Sequence, residues 1–309
     1  MSQAQITAQH GYTTGNIRFV RSYAKINLTL DVLGKRADGY HELATIMQIV
    51  DLYDTICLTA TENPSVRILC SRPELANDDN LAVRAAQAVL QRLSLPRGVL
   101  IELHKNIPVA AGLGGGSSNA AAILLALRQW WQLPLSPEDL LAIAASLGSD
   151  VPFFLTGGLA LCEGRGERIT PLSPSWPSAM RWLLLLKPSI GVSTATVFRN
   201  LLANDYTDGS FSRTVRTALE AKHSLEPEHL HNSLERGVLE RYPDVAQARE
   251  HMLQAGASTV RLSGSGPTLF ATFSSLDDAT TTQQRLHAQG YEVFLTRAIA
   301  PNGENIHFF

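Results

Sequence analysis

The run Pro108-Val109-Ala110-Ala111-Gly112-Leu113-Gly114-Gly115-Gly116-Ser117-Ser118 places four glycines in five residues and follows them with two hydroxyls. Glycine lets a backbone turn through left-handed conformations and come close to a ligand. The next residues, Asn119 to Trp131, are rich in Ala and Leu and predict a helix. A glycine-rich turn opening a helix points free N–H groups and the positive helix end at one spot, which is how a backbone holds phosphate. The plain alternative is a flexible loop before a core helix, but loop, hydroxyls and helix come in the order phosphate binding needs.

The common phosphate loops do not fit. A Walker A loop has Gly-Lys-Ser/Thr at the helix start. Here Gly116 runs into Ser117-Ser118, and the one Gly-Lys pair, Gly34-Lys35, runs into Arg36. Counted from Gly112 or Gly114, the third glycine of a dinucleotide fingerprint is missing. The protein-kinase catalytic loop and Asp-Phe-Gly signature are absent.

Two other groups have chemistry that phosphoryl transfer uses. Val20 to Leu33 alternates, with Ile26, Leu28, Leu30 and Val32 on one face and Lys25, Asn27, Thr29 and Asp31 on the other. That predicts a half-buried strand with Lys25 and Asn27 side by side on its polar face. Read alone, Lys25 is an ordinary surface lysine; on a rigid strand it could also steady a phosphoryl oxygen or a nascent alkoxide. Ser136 as N-cap, Pro137 at the first helical position, Asp139 in a capping box and Gly148 as the stop predict a second helix. Asp150 lies just past its end, before Val151-Pro152 and the apolar Phe153-Phe154-Leu155. It is either a turn aspartate or a general base for an alcohol.

The elements that must position these groups alternate between strand and helix. Asn80 to Leu93 predicts a helix and Val99 to Leu103 a strand leading to the glycine run. Arg36-Ala37-Asp38-Gly39 is a turn, with Tyr40-His41 beyond it. Pro171 to Pro177, with three prolines and two serines, reads as a linker. After it come strands at Trp182 to Leu186, Thr259 to Leu262, Thr268 to Phe273 and Glu292 to Thr296. Helices are predicted at Thr194 to Leu202, Leu230 to Tyr242, Val245 to Ala255 and Asp277 to Ala288. The mixture suggests an α+β arrangement with helices packed on one sheet face. Trp130-Trp131 is placed in the core under the phosphate helix.

At 309 residues the chain has room for two ordinary domains. A net charge of −2 without a basic block argues against nucleic acid as a partner. No apolar run reaches a membrane span, so no membrane partner is expected. The start lacks a signal-peptide pattern, and Met1 to Asn16 reads as a loose polar tail. Cys57, Cys70 and Cys162 are scattered, which suits a reducing cytoplasm. The histidines, among them His104, His223, His229, His231 and His251, show no ligand spacing, so no protein-built metal site is expected.

The pattern from Pro108 to Ala120 resembles the second motif of the GHMP small-molecule kinases. Ala24-Lys25-Ile26-Asn27-Leu28 resembles the first motif of that family and Ser263-Gly264-Ser265-Gly266-Pro267-Thr268 the third, in the family's order. Arg36 to His41 followed by Gly148 to Phe153 is most similar to the branch that phosphorylates a cytidine-diphosphate-linked branched alcohol in non-mevalonate isoprenoid precursor biosynthesis. The resemblance implies a two-domain GHMP kinase fold of α+β class, with an N-terminal ribosomal-protein-S5-like domain (19–172, after a tail over 1–18) and a C-terminal ferredoxin-like domain (173–309). It implies ATP with Mg²⁺ as cofactors and a small cytidine-diphosphate-linked alcohol as substrate. Lys25 and Asp150 are then the catalytic pair, with Ser117 a hydroxyl near the metal. ATP lies on Pro108 to Ser118 and on the turn Ser263 to Gly266, with Lys105 near the adenine. Asn27, Tyr40, His41, Asp150, Thr194 and Phe198 face the substrate, Tyr40 stacking on the cytosine and His41 bonding its edge. Phe198 is equally a core residue of an amphipathic helix, and Ala195 stands near where the family often has proline. Two alternatives stay open: a kinase of the same family for a smaller alcohol such as mevalonate or homoserine, and a non-catalytic ligand- or RNA-binding module on this fold.

Overall fold

Two long antiparallel strands, β1 (Ile17–Lys35) and β2 (His41–Thr61), form the frame of the protein in a computed structural model that describes residues 16–172, 176–221, 225 and 227–299. The expected turn joins them: Arg36 N–H bonds to the Tyr40 carbonyl at 2.8 Å, and Gly39 has φ +85°. β2 serves two neighbours in succession along its outer edge. Leu43 to Gln48 pairs with β5 (Leu159–Gly164), and Thr55 to Thr61 pairs with β4 (Gly98–His104). β3 (Val66–Cys70) lies parallel beside β4, and β6 (Arg168–Pro171) lies beside β5.

Helices α1 (Leu81–Arg92), α2 (Gly115–Trp130) and α3 (Pro137–Leu147) share one core with Val20, Ile56, Leu58 and Ile101 of this sheet. The run Ala120-Ala121-Ala122 gives α2 a thin face, so it packs closely on β1 and α1. The predicted capping box of α3 is present: Ser136 Oγ accepts from Asp139 N–H at 3.0 Å.

A second, antiparallel sheet has the order β11 (Glu292–Thr296), β7 (Trp182–Lys187), β10 (Leu269–Phe273), β9 (Val260–Leu262). The twofold period of β7 divides its leucines between two cores. Leu184 and Leu186 join Val245 and Met252 of α8 (Pro243–Ala255) and Leu286 of α9 (Leu276–Ala288). Leu183 and Leu185 meet Ile26 and Leu28 of β1. The two sheets are thereby joined through a shared apolar layer behind the Lys25 strand.

Several expectations change. The polar row of β1 is buried: Lys25, Asn27, Thr29 and Asp31 are all covered. Thr29 and Asp31 dock α6 (Ser210–Glu220), a helix the sequence did not show. Asp31 accepts from Ser212 N–H at 2.8 Å and Thr207 Oγ1 at 2.6 Å, and so caps a helix whose own N-cap is Gly209. The helix after the glycine run begins at Gly115 instead of Asn119, because a first turn takes its partners from outside the helix and tolerates glycine. The helix expected over Leu230 to Tyr242 divides. His231–Asn232 is a short strand, β8, parallel to β1, and only Glu235–Arg241 is helical, as α7. Asn232 explains the break, since its buried Nδ2 donates to the Leu262 and Gly264 carbonyls at 2.8 Å each. The helix at Thr194, α5, ends at Arg199. Pro171 closes β6, whereas 173–175 of the expected linker and 1–15 of the expected tail lie outside the described residues. Trp130 and Trp131 are only partly buried, at the core's edge, with Arg18 over one ring and Arg97 over the other.

Candidate active site

Gly114 opens α2 in the left-handed conformation, φ 70°, without a side-chain capping bond. The first bond that closes the helix runs from Ser118 N–H to the Gly114 carbonyl at 2.9 Å. The helix therefore leaves the N–H groups of Gly115, Gly116 and Ser117 without intrahelical partners, and these residues line a cavity of about 1110 Å³. Asking what a Cβ would meet ranks the glycines. At Gly112 it would stand 2.3 Å from the Ser263 carbonyl oxygen, and at Gly114 2.7 Å from Phe154 Cζ. At Gly115 it would lie 3.0 Å from Ile107 Cγ2 and 3.1 Å from Lys105 Nζ, while at Gly116 the nearest atom is Leu81 Cδ1 at 3.6 Å. The cradle is a surface that side chains would fill.

The turn Ser263 to Gly266 joins β9 to β10 and leans on this loop backbone to backbone. Thr268 N–H reaches the Ala111 carbonyl at 3.4 Å, and Ser263 Oγ donates to the Gly112 carbonyl at 3.3 Å. Gly264 covers the catalytic candidates: its Cβ would be 3.2 Å from Lys25 Nζ and 3.3 Å from Asn27 Oδ1.

Lys25 is 4% exposed. Its Nζ donates to Asn27 Oδ1 at 2.6 Å and stands 3.6 Å from Asp150 Oδ2. Asn27 is held in turn, with Nδ2 donating to Thr45 Oγ1 at 2.8 Å. Asp150 occupies the N-cap position of α4 (Val151–Thr156), a short apolar helix. Its carboxylate makes no capping bond and its side chain is 32% exposed. An ammonium locked between an amide and a carboxylate that opens onto a cavity can hold an anionic oxygen and let the carboxylate take a proton.

At the far end the cavity is lined by rings. His41 stacks obliquely on Phe198, centroids 5.3 Å apart, and lies 6.1 Å from the Tyr206 ring. Burial and the nearby Lys35 ammonium both lower the His41 pKa, which favours the neutral ring. Tyr40 is 54% exposed, and the Arg165 guanidinium sits 4.9 Å over its ring. Thr194 Oγ1 is 2.8 Å from Ser265 Oγ, linking the ring end to the third motif.

All the sequence-predicted site residues line this one cavity except three. Ser118 is buried and its N–H is used within α2. Ser263 N–H bonds to the Thr268 carbonyl at 2.9 Å and Gly266 N–H to the Ser263 carbonyl at 3.0 Å, so both shape the turn from behind. Lys105 is buried and paired with Asp54. Asp54, Asn80, Leu81, Arg165 and Tyr206 were not foreseen. Asn80-Leu81 opens α1, where the sequence shows only a helix running from Asn80 to Leu93. Among the described residues, no group of three or more His, Cys, Asp or Glu side chains could hold a metal, and no helix is long and apolar enough to cross a membrane.

Residues 80–158 match the GHMP kinases N terminal domain and residues 214–292 the GHMP kinases C terminal domain. A 4-diphosphocytidyl-2-C-methyl-D-erythritol kinase of Geobacillus kaustophilus is 46% identical over 254 residues, covering 81% of this chain and 86% of the relative. The enzyme of that name from Geobacter metallireducens is 40% identical over 283 residues, 91% of this chain and 98% of the relative. A crystal structure of 4-(cytidine 5'-diphospho)-2C-methyl-D-erythritol kinase superposes with a TM-score of 0.78 at 33% identity, covering 91% of this chain and 98% of that one. Homoserine kinase from Cytophaga hutchinsonii, at TM-score 0.68 and 19% identity over 96% of this chain and 99% of its own, shares the fold.

Proposed function

This chain belongs to the GHMP kinases, and within them to the 4-diphosphocytidyl-2-C-methyl-D-erythritol kinases, and we propose that the cavity under its Ser263 to Gly266 turn is where it carries out that reaction. It is an ATP-dependent phosphotransferase with an alcohol as acceptor. The observation that carries the site reading is Lys25, held by Asn27 beside Asp150 in the cavity that the α2 N-terminus faces.

In this reading the ATP phosphates lie on the N–H groups of Gly115, Gly116 and Ser117, and the adenine lies along Leu75, Leu81, Pro108 and Val109. Tyr40, His41 and Phe198 take the cytosine, and the free 2-hydroxyl of the methylerythritol lies at Asp150. Phosphoryl transfer asks chiefly for alignment and charge neutralisation. Lys25 steadies the anionic oxygens and Asp150 accepts the hydroxyl proton as transfer proceeds. Mg²⁺ neutralises phosphate charge when bound. The wall offers it the Ser117 hydroxyl and the Asp150 carboxylate, hard oxygen donors that suit a cation carried mainly by phosphates. The reading divides the chain at residues 172 and 173, places it in the cytoplasm, where three free thiols persist, and gives it no nucleic-acid partner.

Tyr40 and His41 favour a nucleotide-linked alcohol over mevalonate or homoserine, since a small aliphatic acid has no ring to stack. ATP consumption across a panel of cytidine-diphosphate-methylerythritol, mevalonate, homoserine and galactose tests this. Turnover with the first alone is expected. Comparable turnover with mevalonate sinks the substrate assignment, and no turnover with any favours a binding module.

A further inference from the structure

Asp54 lies where β2 changes neighbours, between the stretch paired with β5 and the stretch paired with β4. It is 0% exposed. Its Oδ1 accepts the backbone N–H groups of Asn106 and Ile107, at 2.8 Å each. Its Oδ2 accepts from Lys105 Nζ and, at 2.9 Å, from Asn119 Nδ2. Asn119 also donates to Ser22 Oγ at 2.6 Å and accepts from Lys105 Nζ at 3.3 Å. One carboxylate thus ties down the three residues that precede the glycine run and the residue that follows Ser118. Both ends of the phosphate loop hang from it. The third tie carries charge toward the ligand, because Lys105 Nζ stands 3.1 Å from where a Gly115 Cβ would be, beside the free N–H groups of α2.

From this arrangement we infer that Asp54 is a positioning residue for the nucleotide: it fixes the phosphate loop and aims Lys105 along the α2 N-terminus. The inference rests on the ATP assignment of that loop. Two opposite effects of Asp54 can be separated. A buried negative charge beneath a phosphate site lowers the local positive potential, so as a bare charge Asp54 weakens ATP binding. As a clamp it strengthens binding, by holding three N–H groups and an ammonium in one geometry before the ligand arrives. The clamp dominates, because all four bonds to the carboxylate come from segments that bound the loop, and because an ammonium buried without its partner leaves its place or gives up its charge.

Asp54→Asn keeps the shape and one acceptor oxygen for the backbone N–H groups but cannot pair with Lys105 and Asn119 as before. Calorimetric titration with ATP, next to a melting curve, reads the effect. ATP affinity is expected to fall about tenfold or more in a folded Asp54→Asn variant, the scale of a displaced binding group. The KM for the cytidine-linked alcohol should stay within about twofold, since the four bonds to the Asp54 carboxylate come from Lys105, Asn106, Ile107 and Asn119 and none from Tyr40, His41 or Phe198. Lys105→Met should weaken ATP similarly, and the double variant should be no weaker than the weaker single one, because both act through one ammonium. Unchanged or tighter ATP binding in Asp54→Asn overturns the inference, as do losses that multiply in the double variant or an equal rise in both KM values. If Asp54→Asn does not fold, Asn119→Ala, which removes one tie, takes its place: about a threefold or larger loss is expected, and wild-type affinity overturns the inference. Failure of the wild type to bind ATP at all would instead sink the nucleotide assignment itself.

Discussion

At the loop end of the cavity the groups offered to a ligand are backbone N–H groups of Gly115, Gly116 and Ser117, backed by the buried Asp54–Lys105–Asn119 cluster. At the ring end they are side chains, with Tyr40 more than half exposed under Arg165 and His41 leaning on Phe198. Backbone donors accept phosphate from any nucleotide, and their geometry is set by turns and by the packing beneath. Rings discriminate by shape, and each can be exchanged without moving the chain. The loop end therefore suits a part common to many substrates, and the ring end suits the part that singles one out. Lys25 and Asp150 lie between, tied to the loop end through the Lys25 N–H bond to the Leu113 carbonyl at 3.0 Å.

Changes in the middle should be the largest and should leave both ends intact. Lys25→Ala and Asp150→Asn are each expected to cut kcat by at least about a hundredfold, the scale of losing a positioned catalytic group. ATP affinity by calorimetry should change little. Near-normal turnover in either folded variant removes the role given to that residue.

At the loop end the effects should follow backbone space. Gly112→Ala and Gly114→Ala force a Cβ onto a carbonyl or a phenylalanine ring at positive φ, and each should cost about 1–3 kcal/mol of stability together with ATP binding. Gly116→Ala, with its nearest neighbour at 3.6 Å, should melt close to wild type. Equal losses at all three positions would mean that the loop acts by general flexibility and not by close approach.

The ring end should respond more gently and only toward the alcohol. Tyr40→Ala is expected to raise the KM for the cytidine-linked substrate about tenfold, since one stacked base is worth roughly 1–3 kcal/mol. Tyr40→Phe keeps the ring face and should be mild, and KM for ATP should hold in both. A rise in the ATP KM of equal size would erase the division between the two ends.

The smallest effect concerns His41. Its pKa is lowered in the folded protein from the usual 6.5, by burial first and Lys35 second. The unfolded chain therefore binds the proton first as pH falls, and stability declines as pH drops below about 6.5 through the folded value. Melting temperatures from pH 7.5 to 5 should show a modest slope of this sign that His41→Gln reduces. An identical slope in that variant assigns it to another group.

How far the chain could be read follows from the range of the interactions. The α3 capping box and the pairing of Lys25 with Asn27 are contacts between residues a few positions apart, and local spacing showed them, as the residue pattern showed the strand at Glu292–Thr296. The glycine run announced a turn that opens a helix for the same reason, and the three spaced motifs announced the kinase family. What escaped were partners distant in the chain. β2 went unseen because it is paired on both edges along most of its length, and its buried polar residues broke the alternation. Asp54 carries no local signal, and its partners at Asn106, Ile107 and Asn119 are more than fifty positions away.

The sequence by itself determined which chemistry is available: backbone N–H groups at a helix start, a lysine and an aspartate, and a tyrosine and a histidine beyond a turn. These depend on residue type and short spacing. Tertiary structure alone decided that the polar row of β1 would be buried, that the Ser263 to Gly266 turn would close over Lys25, and that one carboxylate would hold both ends of the glycine loop. Those outcomes require two sheets and the helices packed on them to meet, and the free energy that selects them comes from burying apolar layers such as Ile26 and Leu28 against Leu183 and Leu185. Once that layer forms, the polar groups trapped beside it must find partners in each other, and those partnerships shape the site.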